Sequence, residues 1–340
     1  MRQIWIPHTG PPTVLTLREA PDPIPRNGEV RIRVAASGVN FDDIRGRLGL
    51  LPNRPPLPYV PGFEVAGTVD AIGQGVKTVQ EGDPVFALVP YGGYADVVCV
   101  PKHLAFKRLD WMSATDGAAL PFNYLTAFAA MMVMGSLRQG NRVLIHAAAG
   151  GVGLAAIDIG RILEADMFGT ASSEKHAFIR ERGLQHPIDY HHVDYEKAIR
   201  EQLRGGGLDL ILEPLGGRHW RKNYRLLNPT GRLIHYGSSS LVRKNARTWL
   251  TIPRLLRDLP RYTPLTLIAD NKGVNGFDLT RLWQESDLLR RWMARLIHWY
   301  DEARFRPHVD RTFPLSEAAA AHRYLQERKN IGKVLLVTDA

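Results

Sequence analysis

Two hydrophobic periods divide this chain. In the first third, Val30-Arg31-Ile32-Arg33-Val34-Ala35 alternates apolar and polar residues. That is the pattern of a strand with one buried face, because successive side chains leave a strand on opposite sides. Phe63–Val69, Gly82–Leu88 and Ala95–Val100 predict further strands, and glycine and proline punctuate all of them. Together they predict a small, partly open barrel. From Ser113 to Met134 the chain is rich in Ala and Met at helical spacing. Beyond it, the apolar runs Val143–Ile145, Met167–Thr170, His186–Tyr190, Leu208–Leu212 and Arg232–Tyr236 alternate with helical stretches such as Glu174–Arg182 and Tyr195–Leu203. Strands alternating with helices predict a parallel sheet covered on both faces, an α/β doubly wound arrangement. A helix over Ser316–Arg328 and a strand over Lys333–Val337 close the chain. That last strand has no partner nearby in sequence, so it is expected to join the N-terminal barrel. Residues 1–122 with 305–340 are the expected barrel domain, and residues 123–304 the inserted domain.

The most informative stretch is Arg142-Val143-Leu144-Ile145-His146-Ala147-Ala148-Ala149-Gly150-Gly151-Val152-Gly153, followed by an apolar helical pattern through Leu163. Strand, glycine turn and helix are the context of a dinucleotide-phosphate site: glycines let the backbone approach the pyrophosphate, and the helix N-terminus offers it partial positive charge. Ala148 stands where the pattern G-x-G-x-x-G has its first glycine, which costs little if its φ stays negative. Gly150, Gly151, Val152 and Gly153 are the candidate pyrophosphate residues. An NAD site places Asp or Glu about 20 residues on, at the tip of the second strand. Here the tip reads Gly169-Thr170-Ala171-Ser172-Ser173-Glu174-Lys175. Ser172 can hydrogen-bond a 2′-phosphate, Lys175 can neutralise it, and Tyr190 ends the next strand beside it, so NADPH is the expected cofactor. Glu174, in a shifted register, would oppose that phosphate, and Lys175 has the alternative of a solvated helix position.

Composition narrows the class. The chain has 340 residues, enough for two cores, and a formal net charge of +10. Helix-turn-helix, zinc-finger and aromatic-basic RNA motifs are missing, so no nucleic-acid partner is expected. Cys99 is the only cysteine; it sits in an alternating strand pattern as a small hydrophobe, and one cysteine permits no internal disulfide. The first residues lack a signal-peptide core and no window holds 18 uninterrupted apolar residues, so a cytoplasmic location is expected. Basic residues concentrate between Arg243 and Arg261, with Trp249, Leu250, Ile252, Leu255, Leu256 and Leu259 interleaved. Residues 241–261 fit either a solvated lid or dimer-side helix, or a segment making peripheral contact with an anionic membrane. Pro253 and Pro260 argue against one continuous helix.

With Gly38-Val39-Asn40-Phe41, Pro61-Gly62-Phe63-Glu64-Val65-Ala66-Gly67, Val143 through Gly153, Asn123-Tyr124-Leu125-Thr126-Ala127, Glu213-Pro214-Leu215-Gly216-Gly217 and Arg328–Lys333 in view, the chain resembles the zinc-independent quinone oxidoreductase branch of the medium-chain dehydrogenase/reductase superfamily. Within that branch it resembles the VAT-1 (synaptic vesicle membrane protein) group, with polyketide enoyl reductases next. The resemblance implies a GroES-like barrel, a Rossmann domain and a domain cleft holding the active site. It also implies hydride transfer from NADPH to a quinone or α,β-unsaturated carbonyl. The superfamily's zinc ligands would fall at Asn40, Phe63 and approximately Asn123, none a thiolate or imidazole, so no metal is expected. Twelve histidines remain, but none shows ligand spacing.

The same resemblance implies the residue roles. Asn40 is the candidate catalytic residue, holding the nicotinamide or the substrate oxygen, with a turn cap as its alternative. Thr126 and Asn330 are expected near the nicotinamide, or in local hydrogen bonds. Leu215, Gly216, Tyr236, Gly237 and Ser238 line the ribose and ring approach. A loop Val274-Asn275-Gly276-Phe277 closes over the ring, placing Gly276 and Phe277 against cofactor. Glu64 is read as an ion-pair or hydrogen-bond partner, and Asp42-Asp43 as a helix first turn. No proton donor emerges, since Leu51 stands where relatives carry a tyrosine. A homodimer through edge strands near Pro264–Ile268 is expected. The alternative function is a VAT-1-like membrane-associated or lipid-handling protein that retains a nucleotide fold.

Overall fold

The computed structural model describes residues 1–241 and 258–338. The chain divides into two compact units, Met1–Leu125 with Leu279–Ala340 and Thr126–Asp278.

The first unit opens with an antiparallel pair, β1 (Arg2–Trp5) and β2 (Thr16–Glu19). The long strand β3 (Glu29–Val39) shows the physics of the alternating pattern directly. Val30, Ile32 and Val34 are buried, while the alternate Arg31 and Arg33 each bond Asp70 across the sheet, at 2.8 and 3.0 Å. Helix α1 (Phe41–Arg47) follows, with Asp42 and Asp43 in its first turn, where acidic residues favour the helix dipole. Strands β4 (Glu64–Ile72), β5 (Pro84–Leu88), β6 (Val97–Pro101) and β7 (Ala105–Lys107) complete the N-terminal part. Cys99 lies half-buried in β6, its thiol pushed up to about 11 by burial, which disfavours the thiolate form. Helices α2 (Ala114–Ala119) and α3 (Pro121–Phe128) lead out, and the helical run ends in one wide turn over Ala129–Met134.

The second unit is built on β8 (Arg142–Ile145), α4 (Gly151–Ile162), β9 (Asp166–Ala171), β10 (His186–Asp189), β11 (Leu208–Glu213), β12 (Leu227–His235) and β13 (Gly273–Gly276). All six strands run parallel in the order β10-β9-β8-β11-β12-β13. The order reverses between β8 and β11, and a ligand site is expected at the carboxyl ends of strands on either side of such a reversal. The apolar runs are buried on both faces, with Val143, Leu144, Ile145, Ile211 and Leu212 fully covered.

The chain then returns to the first unit with β14 (Val309–Pro314) and β15 (Lys333–Val337). As expected, β15 pairs with the barrel: Val334 lies opposite Val39 and Val337 opposite Ala36, antiparallel. The larger sheet runs β14-β15-β3-β4-β5-β7, with β6 also on β3.

Three sequence expectations need correction. Gly273–Gly276 is a strand, not a loop: β13 pairs in parallel with β12, and Phe277 is buried with its N–H on the His235 carbonyl at 2.8 Å. A four-residue strand between glycines has no period of its own, so only its neighbour makes it visible. Pro264–Asp270 is a helix, not an edge strand. Thr263 caps it through the Thr266 N–H and Pro264 takes the first position, a start signal that outranks the β-branched residues around it. The segment after Asp278 belongs to the first unit, whereas the inserted domain was expected to reach residue 304. The helix Ser286–Asp301 is tied there by Tyr300 OH to Asp116 Oδ2 at 2.5 Å and by Tyr300 stacked on Trp111.

Candidate functional site

The glycine turn folds as its residues require. Ala147 takes the left-handed conformation, at φ +51°, one residue ahead of the expected strain point, and Ala148 keeps a negative φ. Gly150 caps α4 with extended backbone, its N–H on the Ala147 carbonyl at 2.9 Å. Gly150 has no side chain to cap this helix, so the first-turn N–H groups of Gly151, Val152 and Gly153 are arranged as an anion site requires. A Cβ on Gly153 would lie 2.4 Å from the Ala147 carbonyl and 2.5 Å from that of Ala148. Glycine is therefore obligatory for this turn to fold back on its helix. An uncapped helix start behind a turn of this shape fits a pyrophosphate.

The tip of β9 gathers three of the residues named from sequence. The Ser172 hydroxyl donates to Glu174 Oε1 at 2.5 Å, and that bond first, with Lys175 and His191 contributing charge, holds the Glu174 carboxyl below its ordinary range. Lys175 is buried and Glu174 exposed. Lys175 is thus not a solvated helix residue; its N–H bonds the Ser172 carbonyl at 3.0 Å, while Glu174 occupies the Ser172 hydroxyl. Tyr190 is exposed past the end of β10, its ring against His191 at 4.3 Å.

The loops after β11 and β12 meet. Glu213, fully buried at the end of β11, accepts the backbone N–H of Leu215 and, at 2.8 Å, of Gly216. Tyr236 N–H bonds the Glu213 carbonyl at 3.1 Å, and Ser239 N–H the Pro214 carbonyl at 2.9 Å. A Cβ on Gly237 would meet the Pro214 carbonyl at 2.9 Å, and one on Gly216 would touch Ser238. Leu215, Gly216, Tyr236, Gly237 and Ser238 therefore share one surface of the second unit. Thr126 is buried in α3 at the start of that unit.

In the first unit, Asn40 is part of a buried charged cluster that sequence reasoning did not find. Its Nδ2 donates to Glu64 Oε1 at 2.9 Å, and its Oδ1 accepts from Lys333 Nζ at 2.7 Å. Lys333 also pairs directly with Glu64, whose other oxygen takes the Phe122 N–H at 2.7 Å. Glu64 is an ion-pair partner, as its sequence context indicates. Asp43 lies alongside, accepting from the N–H groups of Asn40 and Gly62 and from the Tyr94 hydroxyl; burial raises its carboxyl to about 7. Asn330 closes a local turn, with Nδ2 on the Gly332 carbonyl at 2.7 Å.

Lys333, Asp43 and Glu213 are the members of these clusters whose roles sequence reasoning missed. Glu213 carried a readable signal, a carboxylate closing the apolar run Leu210-Ile211-Leu212. Lys333 carried none, because its partners lie 293 and 269 positions away. Among the described residues no three His, Cys, Asp or Glu side chains gather around a point, and no helix is long and apolar enough to cross a membrane.

Comparison with known proteins locates these features in sequence space. The alcohol dehydrogenase GroES-like domain family matches residues 26–110 and the zinc-binding dehydrogenase family residues 182–336. The chain is 41% identical over 324 residues to the synaptic vesicle membrane protein VAT-1 homolog of Rattus norvegicus, covering 95% of this chain and 80% of that protein. It is 32% identical over 341 residues to a quinone oxidoreductase of Lama guanicoe, covering 99% and 97%. The crystal structure of the Escherichia coli quinone oxidoreductase complexed with NADPH superposes with a TM-score of 0.87 at 25% identity, covering 99% of this chain and all of that one.

Proposed function

This chain belongs to the VAT-1 group of the medium-chain dehydrogenase/reductase superfamily and is an oxidoreductase of that superfamily; from that premise we propose that it binds NADPH and reduces a quinone or an α,β-unsaturated carbonyl without a metal ion. The observation that carries the proposal is the uncapped start of α4, folded against Ala147 and Ala148 at the reversal of the parallel sheet. Gly150, Gly151, Val152 and Gly153 hold the pyrophosphate through backbone N–H groups. Ser172, Lys175 and Tyr190 hold the 2′-phosphate, Glu174 turning away as the new anion arrives. Leu215, Gly216, Tyr236, Gly237 and Ser238 face the nicotinamide half, with Thr126, Gly276 and Phe277 bounding it; Asn330 belongs to the first unit. NADPH supplies the hydride.

Asn40 is the residue assigned to the substrate oxygen. Lys333 and Glu64 fix its amide at both ends, which leaves one Nδ2 hydrogen to offer an acceptor. Zinc does not fit here. An amide at Asn40, a phenyl ring at Phe63 and an amide at Asn123 are not its ligands, and the Lys333 ammonium already brings a positive charge 2.7 Å from Asn40 Oδ1. Conjugate reduction needs no Lewis acid, because the substrate delocalises the incoming charge; the protein orients it and excludes water. The test is loss of NADPH absorbance across a panel of quinones and enones. Turnover with at least one of them is expected, and none despite tight NADPH binding would count against a reductase.

A second reading draws on the rat relative's name and on the basic residues of 241–261, of which 242–257 lie outside the described residues. Each basic residue near an anionic lipid surface contributes about 1 kcal/mol. Co-sedimentation with phosphatidylserine vesicles, with and without charge reversal at Arg243, Arg247, Arg254 and Arg257, tests it; failure to pellet in low salt removes this reading.

A further inference from the structure

Beneath the glycine turn lies an unbroken chain of buried polar groups in which every donor can be assigned. Asn223 Oδ1 only accepts, and it lies 3.0 Å from His146 Nε2, so that ring nitrogen carries the hydrogen. His146 Nδ1 then has none and accepts from the Thr170 hydroxyl at 3.0 Å, while Thr170 Oγ1 accepts the Ala147 N–H at 3.3 Å. Asn223 Oδ1 also takes the Tyr195 hydroxyl at 3.1 Å, which leaves Tyr195 to accept from His219 Nδ1 at 3.2 Å. At its other end, the Asn223 amide donates to Glu213 Oε2, and Glu213 Oε1 holds the N–H groups of Leu215 and Gly216. His146, Asn223 and Glu213 are each fully buried. Burial also drives the His146 imidazole down to about 3, so the bridge is neutral and its tautomer is fixed.

We propose that Asn223 is a positioning residue of the nucleotide site, coupling the phosphate turn at Ala147 to the loop at Leu215–Gly216 so that the two hold one spacing. The proposal rests on the NADPH reading above and extends it to a residue that touches neither loop. The amide is the one short side chain that accepts at one atom and donates at the other. Both functions are used here: Oδ1 reaches the turn through His146 and Thr170, and Nδ2 reaches the loop through Glu213. Strands β8 and β11 flank the reversal of the sheet, so two loops that would serve opposite halves of one dinucleotide are tied beneath it. Loss of the tie lets each loop relax separately, and a ligand spanning both must then restore their spacing on binding.

Asn223→Ala and Asn223→Asp separate this role from simple packing. NADPH affinity is measured by nicotinamide fluorescence at pH 6 and pH 10, with melting curves to confirm folding. Asn223→Ala is expected to weaken NADPH about tenfold at both pH values and to lower kcat, the loss of a hydrogen-bonded tie. Asn223→Asp sets a carboxylate against Glu213, itself raised to about 7 by burial, and two adjoining carboxyls hold one proton between them. That variant should bind NADPH as poorly as Asn223→Ala at pH 10, where the shared proton is lost, and recover to within about threefold of the unaltered protein at pH 6. His146 is neutral across this range, and the tyrosines facing Glu213, namely Tyr195, Tyr236 and Tyr262, are all shifted upward by burial. His219, beyond Tyr195, is common to both variants, so Asn223→Ala controls for it. A folded Asn223→Ala with unchanged affinity, or an Asn223→Asp whose loss is the same at both pH values, overturns the proposal. If Asn223→Ala does not fold, the pH recovery of Asn223→Asp decides. An unaltered protein that binds no NADPH would instead remove the nucleotide reading itself.

Discussion

Two buried polar clusters, one in each unit, are built in opposite ways. In the first, the Asn40–Glu64–Lys333 cluster is ionic: a carboxylate and an ammonium are both buried, and the pair ties the last strand to the start of the chain. In the second, the chain from Ala147 through His146 and Asn223 to Gly216 is bridged by a neutral imidazole and an amide. A buried ion pair resists separation, because losing one member strands the other charge in a medium that cannot solvate it. A neutral chain with fixed tautomers fixes directions instead, since each member has only one partner arrangement that satisfies it. The contrast matches what each region must do. The first unit is assembled from distant segments and has to be fastened; in the proposed reading the second presents loops to a nucleotide and has to hold their spacing.

Breaking the fastening should have the largest effect. Lys333→Met leaves the fully buried Glu64 carboxylate without a counter-charge and is expected to cost about 3–5 kcal/mol in urea denaturation. Combining it with Glu64→Gln should recover most of that loss, because no charge then remains. If the double variant is as unstable as the single one, the pair is not the fastening. At the nucleotide edge the expected effect is smaller. Lys175→Glu should weaken NADPH about tenfold and leave NADH nearly unchanged, about 1.4 kcal/mol of selectivity. Equal loss for the two cofactors would show that Lys175 does not face a 2′-phosphate.

The smallest effect is a slope. Burial raises Asp43 from its ordinary 3.8 to about 7, so the folded protein holds more protons than the unfolded one between those values. Stability from this group therefore falls as pH climbs from about 4 to 7. His146 and His235, lowered to about 3 and about 4 by burial, act oppositely and add stability as pH rises towards 6.5. Asp43→Asn removes only the falling component. Its stability relative to the unaltered protein should improve across that window by no more than about 1.4 kcal/mol for each unit of pH. A parallel offset at every pH would mean that Asp43 is ionised throughout.

How far the sequence reached follows the same division. The parallel sheet was legible because each of its core strands is a local apolar run, and the turn Ala148–Gly153 was legible because glycine spacing is local too. The pairing of β15 with β3 was legible only through the missing neighbour of Lys333–Val337. Strand β13 was misread because Gly273–Gly276 owes its conformation to the strand beside it. Helix Pro264–Asp270 departs from the expected edge strand because the Thr263-Pro264 start signal sets its conformation. The buried clusters were the least legible part. Asn40, Glu64 and Lys333, or His146, Thr170, Asn223 and Glu213, become neighbours only when separate strands converge, and nothing in each residue's local pattern announces the others.

The central claim is that the start of α4 receives the pyrophosphate of NADPH. The most direct measurement is a fluorescence titration of NADPH into the unaltered protein and into Gly153→Ala, whose added methyl must displace two backbone carbonyls. The account predicts saturable binding by the first, and in the second a loss of about tenfold or more while the fold persists. Undiminished binding by folded Gly153→Ala, or none by the unaltered protein, would contradict it.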